Sequence, residues 1–242
     1  DASWDWVGYT ADSGRTFIKR PITLANVDYN GYGVNLTFGF GIAGVKAFDQ
    51  NNILVYGDYG LVPAILKSTN GGVSYLLVYH SQVGPTTFST LSDMIFPQDN
   101  TVGFAVDGYK VIKTTNGGSN WSVVYNGSAP ALGALDAIDN NNVFAYSSDN
   151  SNTTGGMVKT NNGGGLWQAV TLPDPRLMSA DFITPSRGWI SVNQNFDSSL
   201  IYYTSNGGAS WVKKNSGLVN PIQLVDMHFV NDSVGFGIGG LY

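Results

Sequence analysis

The phrase "KTTNGGSNW" (113–121) packs two glycines, an asparagine and a tryptophan into nine residues, and it returns along the chain. It reads "KSTNGGVSY" at 67–75, "KTNNGGGLW" at 159–167 and "YTSNGGASW" at 203–211, with a more divergent copy, "YTADSGRTF", at 9–17. Each copy reads as a tight chain reversal, which needs a residue that accepts positive φ. Gly71, Gly117, Gly163 and Gly207 meet that need. The short side chains of Asp12, Asn70, Asn116, Asn162 and Asn206 are suited to accept hydrogen bonds from amides of the same turn. Phe17, Tyr75, Trp121, Trp167 and Trp211 follow as aromatic rings placed to pack across the hairpin against a neighbouring sheet.

A second element precedes each phrase. It reads "LSDMIFPQDNTVGFAVDG" (91–108), "ALDAIDNNNVFAYSSD" (134–149), "SADFITPSRGWISVN" (179–193) and "LVDMHFVNDSVGFGIGG" (224–240), with a looser copy, "GVKAFDQNNILVYGD" (44–58). An apolar run, a polar turn and a second apolar run make a β-hairpin, so each repeat holds four short strands. The phrases begin at 9, 67, 113, 159 and 203, at intervals of 58, 46, 46 and 44 residues. Running from 203 to the last residue and re-entering at residue 1 to reach 9 adds 48, which matches the others. Such a period predicts an all-β, five-bladed β-propeller of four-stranded blades, one domain over 1–242. Its last blade has only two strands at the C-terminus. The N-terminal strands are expected to complete it, with 5–10 pairing with 234–238 and covering exposed sheet edges.

Composition narrows the partners. Net charge is −5 and only 12% of residues are charged, which argues against nucleic acid, since phosphate binding needs a basic footprint. All seventeen acidic residues are aspartates, and the lack of glutamate beside abundant Asn, Gly, Thr and Tyr disfavours long helices. No apolar run is long enough to span a membrane. The absence of cysteine excludes disulfides and thiolate metal sites. No cofactor or metal is expected. The start at Asp1 reads as that of a mature segment, or of one domain excised from a longer protein.

Residues 10–17, "TADSGRTF", match the Asp-box pattern Ser/Thr-x-Asp-x-Gly-x-Thr-Trp/Phe, and the other four phrases resemble it with Asn for Asp. The chain therefore resembles Asp-box (BNR) repeat propellers, above all those similar to the photosystem II stability and assembly factor and secreted bacterial relatives. The resemblance implies that the boxes are scaffold at the periphery. It leaves function open among sialidases, glucanases, sorting receptors and assembly factors. A sialidase would need an arginine triad and a Tyr–Glu pair, but there are four arginines (15, 20, 176 and 187), one inside a box, and no Glu. His80 and His228 accompany no nucleophile elbow or zinc spacing.

Three sets of residues stand out from the scaffold. Asp93, Asp136, Asp181 and Asp226, with Lys46 in the remaining repeat, hold similar places on the inner strand. Either they converge on a central channel, where they could bind a cation or raise one another's pKa, or each bonds backbone amides of the adjacent blade. The long first interval carries an insertion, "PITLANVDYNGYGVNLTFGFG" (21–41), where Tyr29, Tyr32 and Phe38, together with Tyr109 elsewhere, are candidate ligand-binding aromatics. Asn35, Asn120, Asn126, Asn152 and Asn231 begin Asn-x-Ser/Thr and permit glycosylation.

These features favour a non-catalytic recognition or adhesion module, binding a protein or glycan at an extracellular, cell or virion surface. A carbohydrate-active enzyme using aspartates on one propeller face is the alternative, and an assembly or stability factor is a third.

Overall fold

A computed structural model describes residues 5–33, 39–60, 62–81, 91–127, 130–147, 155–194, 198–214 and 223–240. Among these residues every regular element is a β-strand. β1 (Trp6–Tyr9) and β2 (Ile18–Pro21) pair as a two-stranded sheet. β3 (Val27–Asp28), β4 (Phe40–Ala47), β5 (Ile53–Tyr59), β6 (Pro63–Ser68) and β7 (Tyr75–His80) form a sheet of order β3-β7-β6-β5-β4. The short β3 runs parallel to β7 and comes from the predicted insertion.

Three four-stranded sheets follow, each in simple up-and-down order. The first holds β8 (Leu91–Ile95), β9 (Gly103–Asp107), β10 (Lys110–Thr114) and β11 (Ser122–Asn126). The second holds β12 (Ala134–Ala137), β13 (Val143–Tyr146), β14 (Met157–Thr160) and β15 (Gln168–Val170). The third holds β16 (Leu177–Phe182), β17 (Gly188–Gln194), β18 (Ser198–Thr204) and β19 (Val212–Lys214). β20 (Gln223–Phe229) and β21 (Gly235–Gly240) end the chain as a second two-stranded sheet. The four-strand repeat is thus present in full in the middle of the chain. The sequence predicts one closing sheet at its ends; the described residues there form two half-sheets.

The chain divides into two compact units. One comprises Asp1–Met94, Asp99–Gly108 and Ile112–Ser122; the other comprises Ile95–Gln98, Tyr109–Val111 and Val123–Tyr242. The core of the first gathers Ile53, Val55, Leu66, Tyr75 and Leu77 with Val27 of the insertion, and Val7 packs against it. The core of the second gathers Phe144, Met157, Val170, Leu177, Phe182 and Ile190, with Phe144 stacked on Phe182 at 3.7 Å. β9 and β13 are buried along their whole length, which explains why these second strands of the hairpins read as continuous apolar runs.

The repeated phrase forms the same turn five times. The Ser or Thr hydroxyl that ends or directly follows the preceding strand accepts the N–H four residues on: Thr10 from Gly14, Ser68 from Gly72, Thr114 from Gly118, Thr160 from Gly164 and Thr204 from Gly208, at 2.8–3.0 Å. The Asx Oδ1 accepts a second amide, that of Thr16, Ser74, Asn120, Leu166 or Ser210, at 2.9–3.0 Å. In the one copy with a carboxylate, the Thr16 hydroxyl and amide hold Asp12 down to about 2. Both central residues take positive φ, as at Gly117 (65°) and Gly118 (77°), and Ser13 (60°) shows that the first need not be glycine.

These turns also dock one sheet on the one before it. A Cβ at Gly118 would lie 2.6 Å from a methyl of Leu54, and one at Gly208 would lie 2.5 Å from Val170. Lys67 donates to Gly117 O and Ser119 Oγ at 2.8 Å, and Lys159 to Gly207 O at 2.6 Å. The Trp211 indole donates to Thr171 O at 3.0 Å, and Trp167 lies 5.8 Å from Tyr125. Phe17, the equivalent in the first copy, is 62% exposed. Gly118→Ala combines left-handed strain with a clash against buried Leu54 and should cost roughly 2–5 kcal/mol. Gly14→Ala meets open space and should cost about 1–2 kcal/mol, from backbone strain alone. Equal shifts in denaturation midpoint for the two variants would show that the second glycine has no docking role.

Candidate functional site

The inner-strand carboxylates do not share one register. Asp136 sits opposite Phe144 and Asp181 opposite Trp189, one pair before each hairpin's last, and Lys46 opposite Leu54 matches them. Asp226 sits opposite Ile238, two residues earlier, after a register shift between Leu224 and Asp226. The place matching Asp181 in that hairpin belongs to His228, opposite Phe236. Asp226 instead holds the place of Ser179, since both directly follow the register shift of their hairpins, and near-equal spacing of the aspartates alone could not show that offset. Asp93 and Asp226 each accept the amide of the methionine that follows, at 2.7 and 2.8 Å.

Within the second unit these carboxylates reach sideways. Asp136 Oδ2 accepts the Phe182 N–H at 2.6 Å, and Asp181 Oδ2 accepts the Phe229 N–H at 2.6 Å. Asp181 Oδ1 lies 3.2 Å from His228 Nδ1, and Asp226 Oδ1 accepts the Ser179 hydroxyl at 2.9 Å. Each is therefore engaged by an adjacent sheet, Asp136 and Asp181 by backbone N–H groups of the following one and Asp226 by a hydroxyl of the preceding one. Burial pushes Asp136 up to about 7; the Phe182 amide opposes the shift and the nearby Asp181 adds to it. Among the described residues no three acidic or imidazole groups gather to hold a metal ion.

A second cluster lies in the first unit, at the end of the β4–β7 sheet opposite the turn that joins β6 to β7. Its insertion is fixed locally by Asn26, whose side chain accepts the Thr23 N–H at 2.8 Å and donates to Pro21 O at 2.8 Å. Past β3 the chain turns at Asn30 (φ 51°) and Gly31 (φ 76°), with Tyr32 N–H donating to Tyr29 O at 2.9 Å. The turn delivers the Tyr29 hydroxyl to within 2.9 Å of the Tyr59 hydroxyl, with the rings edge-on at 5.7 Å. Tyr59 packs near Phe40 at 6.1 Å, and Tyr32 lies 6.0 Å from His80. Beside His80, the Tyr79 hydroxyl donates to the buried Asp107 carboxylate at 2.5 Å. Burial, then the Asp107 charge, push the Tyr79 phenol up, and burial pulls His80 down.

Tyr29 and Tyr32 are thus brought together, half-buried. Tyr109 is 39% exposed at the turn between β9 and β10. Phe38, Asn35 and Asn152 lie outside the described residues. Tyr59, Tyr79 and Asp107 escaped sequence reasoning because each lies at or near the end of a buried strand and reads there as core. Of the sequons, Asn120 donates its backbone N–H to Asn116 Oδ1, Asn126 is exposed on β11, and Asn231 Oδ1 accepts the amides of Ser233 and Val234. Between β7 and the turn at 115–120 lies a cleft of about 380 Å³, whose one lysine, Lys67, is already bonded to Gly117 and Ser119.

Serial, mainly antiparallel sheets, each built around the same turn, define an all-β, propeller-type protein. No protein-family model matches the sequence, and no characterised protein is similar enough in sequence to count as a relative. Solved structures do match. YCF48 from Cyanidioschyzon merolae aligns with a TM-score of 0.65 at 13% identity, over 98% of this chain and 74% of that one. YCF48 bound to D1 peptide gives 0.57 at 15% identity, over 84% and 62%. The GH74 xyloglucanase from Xanthomonas campestris gives 0.66 at 12% identity, over 98% and 40%. The chain thus spans less than two thirds of the peptide-bound YCF48 chain and of the xyloglucanase. At these identities the likeness is one of fold.

The Asp136 shift has a stability consequence with a definite sign. The unfolded carboxyl loses its proton near 3.8, the folded one near 7, so between these values the folded state holds a proton that the unfolded state has lost. The stabilisation is complete below the lower value and disappears as pH rises through the upper one. Asp136→Asn keeps an oxygen for the Phe182 N–H and removes the titration. Its melting temperature should decline less than that of the wild type between about pH 4 and pH 7. Identical pH profiles for the two proteins would contradict this.

Proposed function

We propose that the chain is a single-domain, five-bladed propeller of Asp-box type that serves as a non-catalytic recognition or adhesion module for a protein or glycan. On this reading it is displayed outside a cell or on a virion surface. The observation that carries the functional part is the use of the acidic groups. The inner-strand aspartates of the second unit are spent on amides and a hydroxyl of adjacent sheets, while the loop end of the first unit offers tyrosine rings and hydroxyls. Aromatic faces of this kind suit sugar C–H surfaces or a protein hot spot. The YCF48 structure with a bound D1 peptide supports a protein ligand by analogy of fold. Glycosylation at the exposed sequons is compatible with this location.

Ring closure is part of the proposal. In the β16–β19 sheet Gly188 pairs with Thr204 and Trp189 with Tyr203. Carried to the chain ends, that register sets Phe236 against Tyr9 and Ile238 against Val7. Phe236 and Ile238 are 70% and 66% exposed in β21, as residues awaiting a partner strand would be. The second reading is a carbohydrate-active enzyme, favoured by likeness to the GH74 xyloglucanase and by Asp136, whose carboxyl burial pushes up to about 7. An assembly or stability factor is the third.

Two experiments test these readings separately. The cysteine-free chain makes Val7→Cys/Ile238→Cys and Tyr9→Cys/Phe236→Cys clean reporters of closure. At least one pair should form an intramolecular disulfide under mild oxidation, seen by intact mass and non-reducing gel. Crosslinking only between molecules, or none, would refute closure. For function, glycan arrays and binding to proteins of the native surface should detect a ligand, with Tyr32→Ala weakening binding under conditions where the variant remains fully folded. Binding indifferent to Tyr32 and to replacement of 27–33 would move the site. Turnover of a polysaccharide would replace the reading with the enzymatic one.

A further inference from the structure

Six Asn–Gly steps occur in the chain: Asn30–Gly31, Asn70–Gly71, Asn116–Gly117, Asn126–Gly127, Asn162–Gly163 and Asn206–Gly207. Such steps are chemically fragile. A glycine after asparagine lets the backbone swing until its nitrogen reaches the asparagine side-chain carbonyl carbon. Whether that happens in a folded protein depends on what already holds the two reacting groups.

In the four repeated turns both are held. The Asn Oδ1 accepts the amide four residues on, as described above. The glycine N–H, which carries the attacking nitrogen, donates to a carbonyl in the turn of the same sheet: Gly71 to Asn51, Gly117 to Thr101, Gly163 to Asn141 and Gly207 to Ser186, at 2.7–3.0 Å. Asn126 is fixed within β11, and Gly127 N–H donates to Tyr109 O at 2.9 Å.

Asn30–Gly31 differs. Its turn is held by Asn30 N–H donating to Asp28 Oδ1 at 2.9 Å and by Tyr32 N–H donating to Tyr29 O. Neither bond touches the Asn30 side chain or the Gly31 nitrogen, and neither of these groups has a hydrogen-bond partner among the described residues. Both residues are exposed, and Asn30 holds a left-handed φ of 51°.

We propose that Asn30 is a site of spontaneous deamidation in the folded protein, and that the fold protects the other five Asn–Gly steps. The deprotonated Gly31 nitrogen attacks Asn30 Cγ; the N–Cγ bond forms, the Cγ–Nδ2 bond breaks and ammonia leaves, giving a five-membered succinimide. Solvent water then opens one of its two carbonyls. One opening leaves aspartate and the other isoaspartate, and no electrons are exchanged. Either product places a second negative charge beside Asp28. The isoaspartyl product also lengthens the main chain by one methylene between Tyr29 and Tyr32, in the segment that positions both rings. The modification is independent of what those rings bind.

The test is incubation of the native chain, and of a urea-unfolded sample, at mildly alkaline pH, followed by peptide mapping with fragment-ion localisation and isoaspartyl methyltransferase labelling. In the native protein Asn30 should convert at least about tenfold faster than any other Asn–Gly asparagine, because those must first open locally. In urea all six should convert. Asn30→Gly, which suits the positive φ, should abolish the native signal. An Asn30 amide that persists in the native state while it converts in urea would overturn the proposal. Native conversion of Asn70, Asn116, Asn162 or Asn206 at the rate of Asn30 would overturn it as well.

Discussion

Everything regular in this chain hangs on one hydrogen bond made five times, from a glycine N–H to a Ser or Thr hydroxyl four residues earlier. In the turns at Ser68, Thr114, Thr160 and Thr204 the bond is buried. A buried amide left without a partner is costly, so the hydroxyl is an obligatory acceptor for a donor that the sheet ladder cannot reach. The left-handed glycine pair that makes this geometry possible also brings the turn close to the preceding sheet, at Leu54 and Val170. Lys67 and Lys159 then reach from that sheet to the carbonyl of the turn's first glycine. One local motif thereby shapes a hairpin and registers it on its neighbour, which is why it can repeat along the chain with little change.

Much of this was legible from the phrase itself. The positive φ, the Asx acceptor and the alternation of hairpins are local properties, and local properties survive in sequence. The lysine at the first place of the phrase, Lys67 or Lys159, was legible as a letter but not as a contact. Its partner lies about 50 residues away, in the next repeat. Asp226 holds the place of Ser179 rather than that of Asp181, two residues earlier in its hairpin, and nothing in the apolar pattern marks the offset, so four aspartates at near-equal spacing looked like one ring. Tyr59, Tyr79 and Asp107 were hidden for the opposite reason. Each lies at or near the end of a buried strand, and nothing local marks it as a member of a cluster built by an insertion.

The acidic residues show how scaffold and function compete for the same chemistry. A carboxylate on an edge strand can face a ligand or satisfy the neighbouring sheet. In the second unit Asp136 and Asp181 do the latter, at 2.6 Å to backbone N–H groups. Such bonds favour the charged carboxylate, and burial opposes it; at Asp136 burial wins. The first unit follows another course. There the insertion brings tyrosine hydroxyls and rings to the end of a sheet, and Tyr29 and Tyr32 remain only half-buried.

The central claim is that the Ser/Thr-anchored glycine turn is a core element of the fold rather than a surface loop. Native-state hydrogen exchange at Gly72, Gly118, Gly164 and Gly208 tests it most directly, because their N–H groups make the buried bonds. The account predicts that these four amides exchange only on cooperative unfolding, with protection close to that of the central strands. Gly14, whose equivalent bond is exposed, should exchange far faster. Loop-like exchange at all four buried positions would contradict the account.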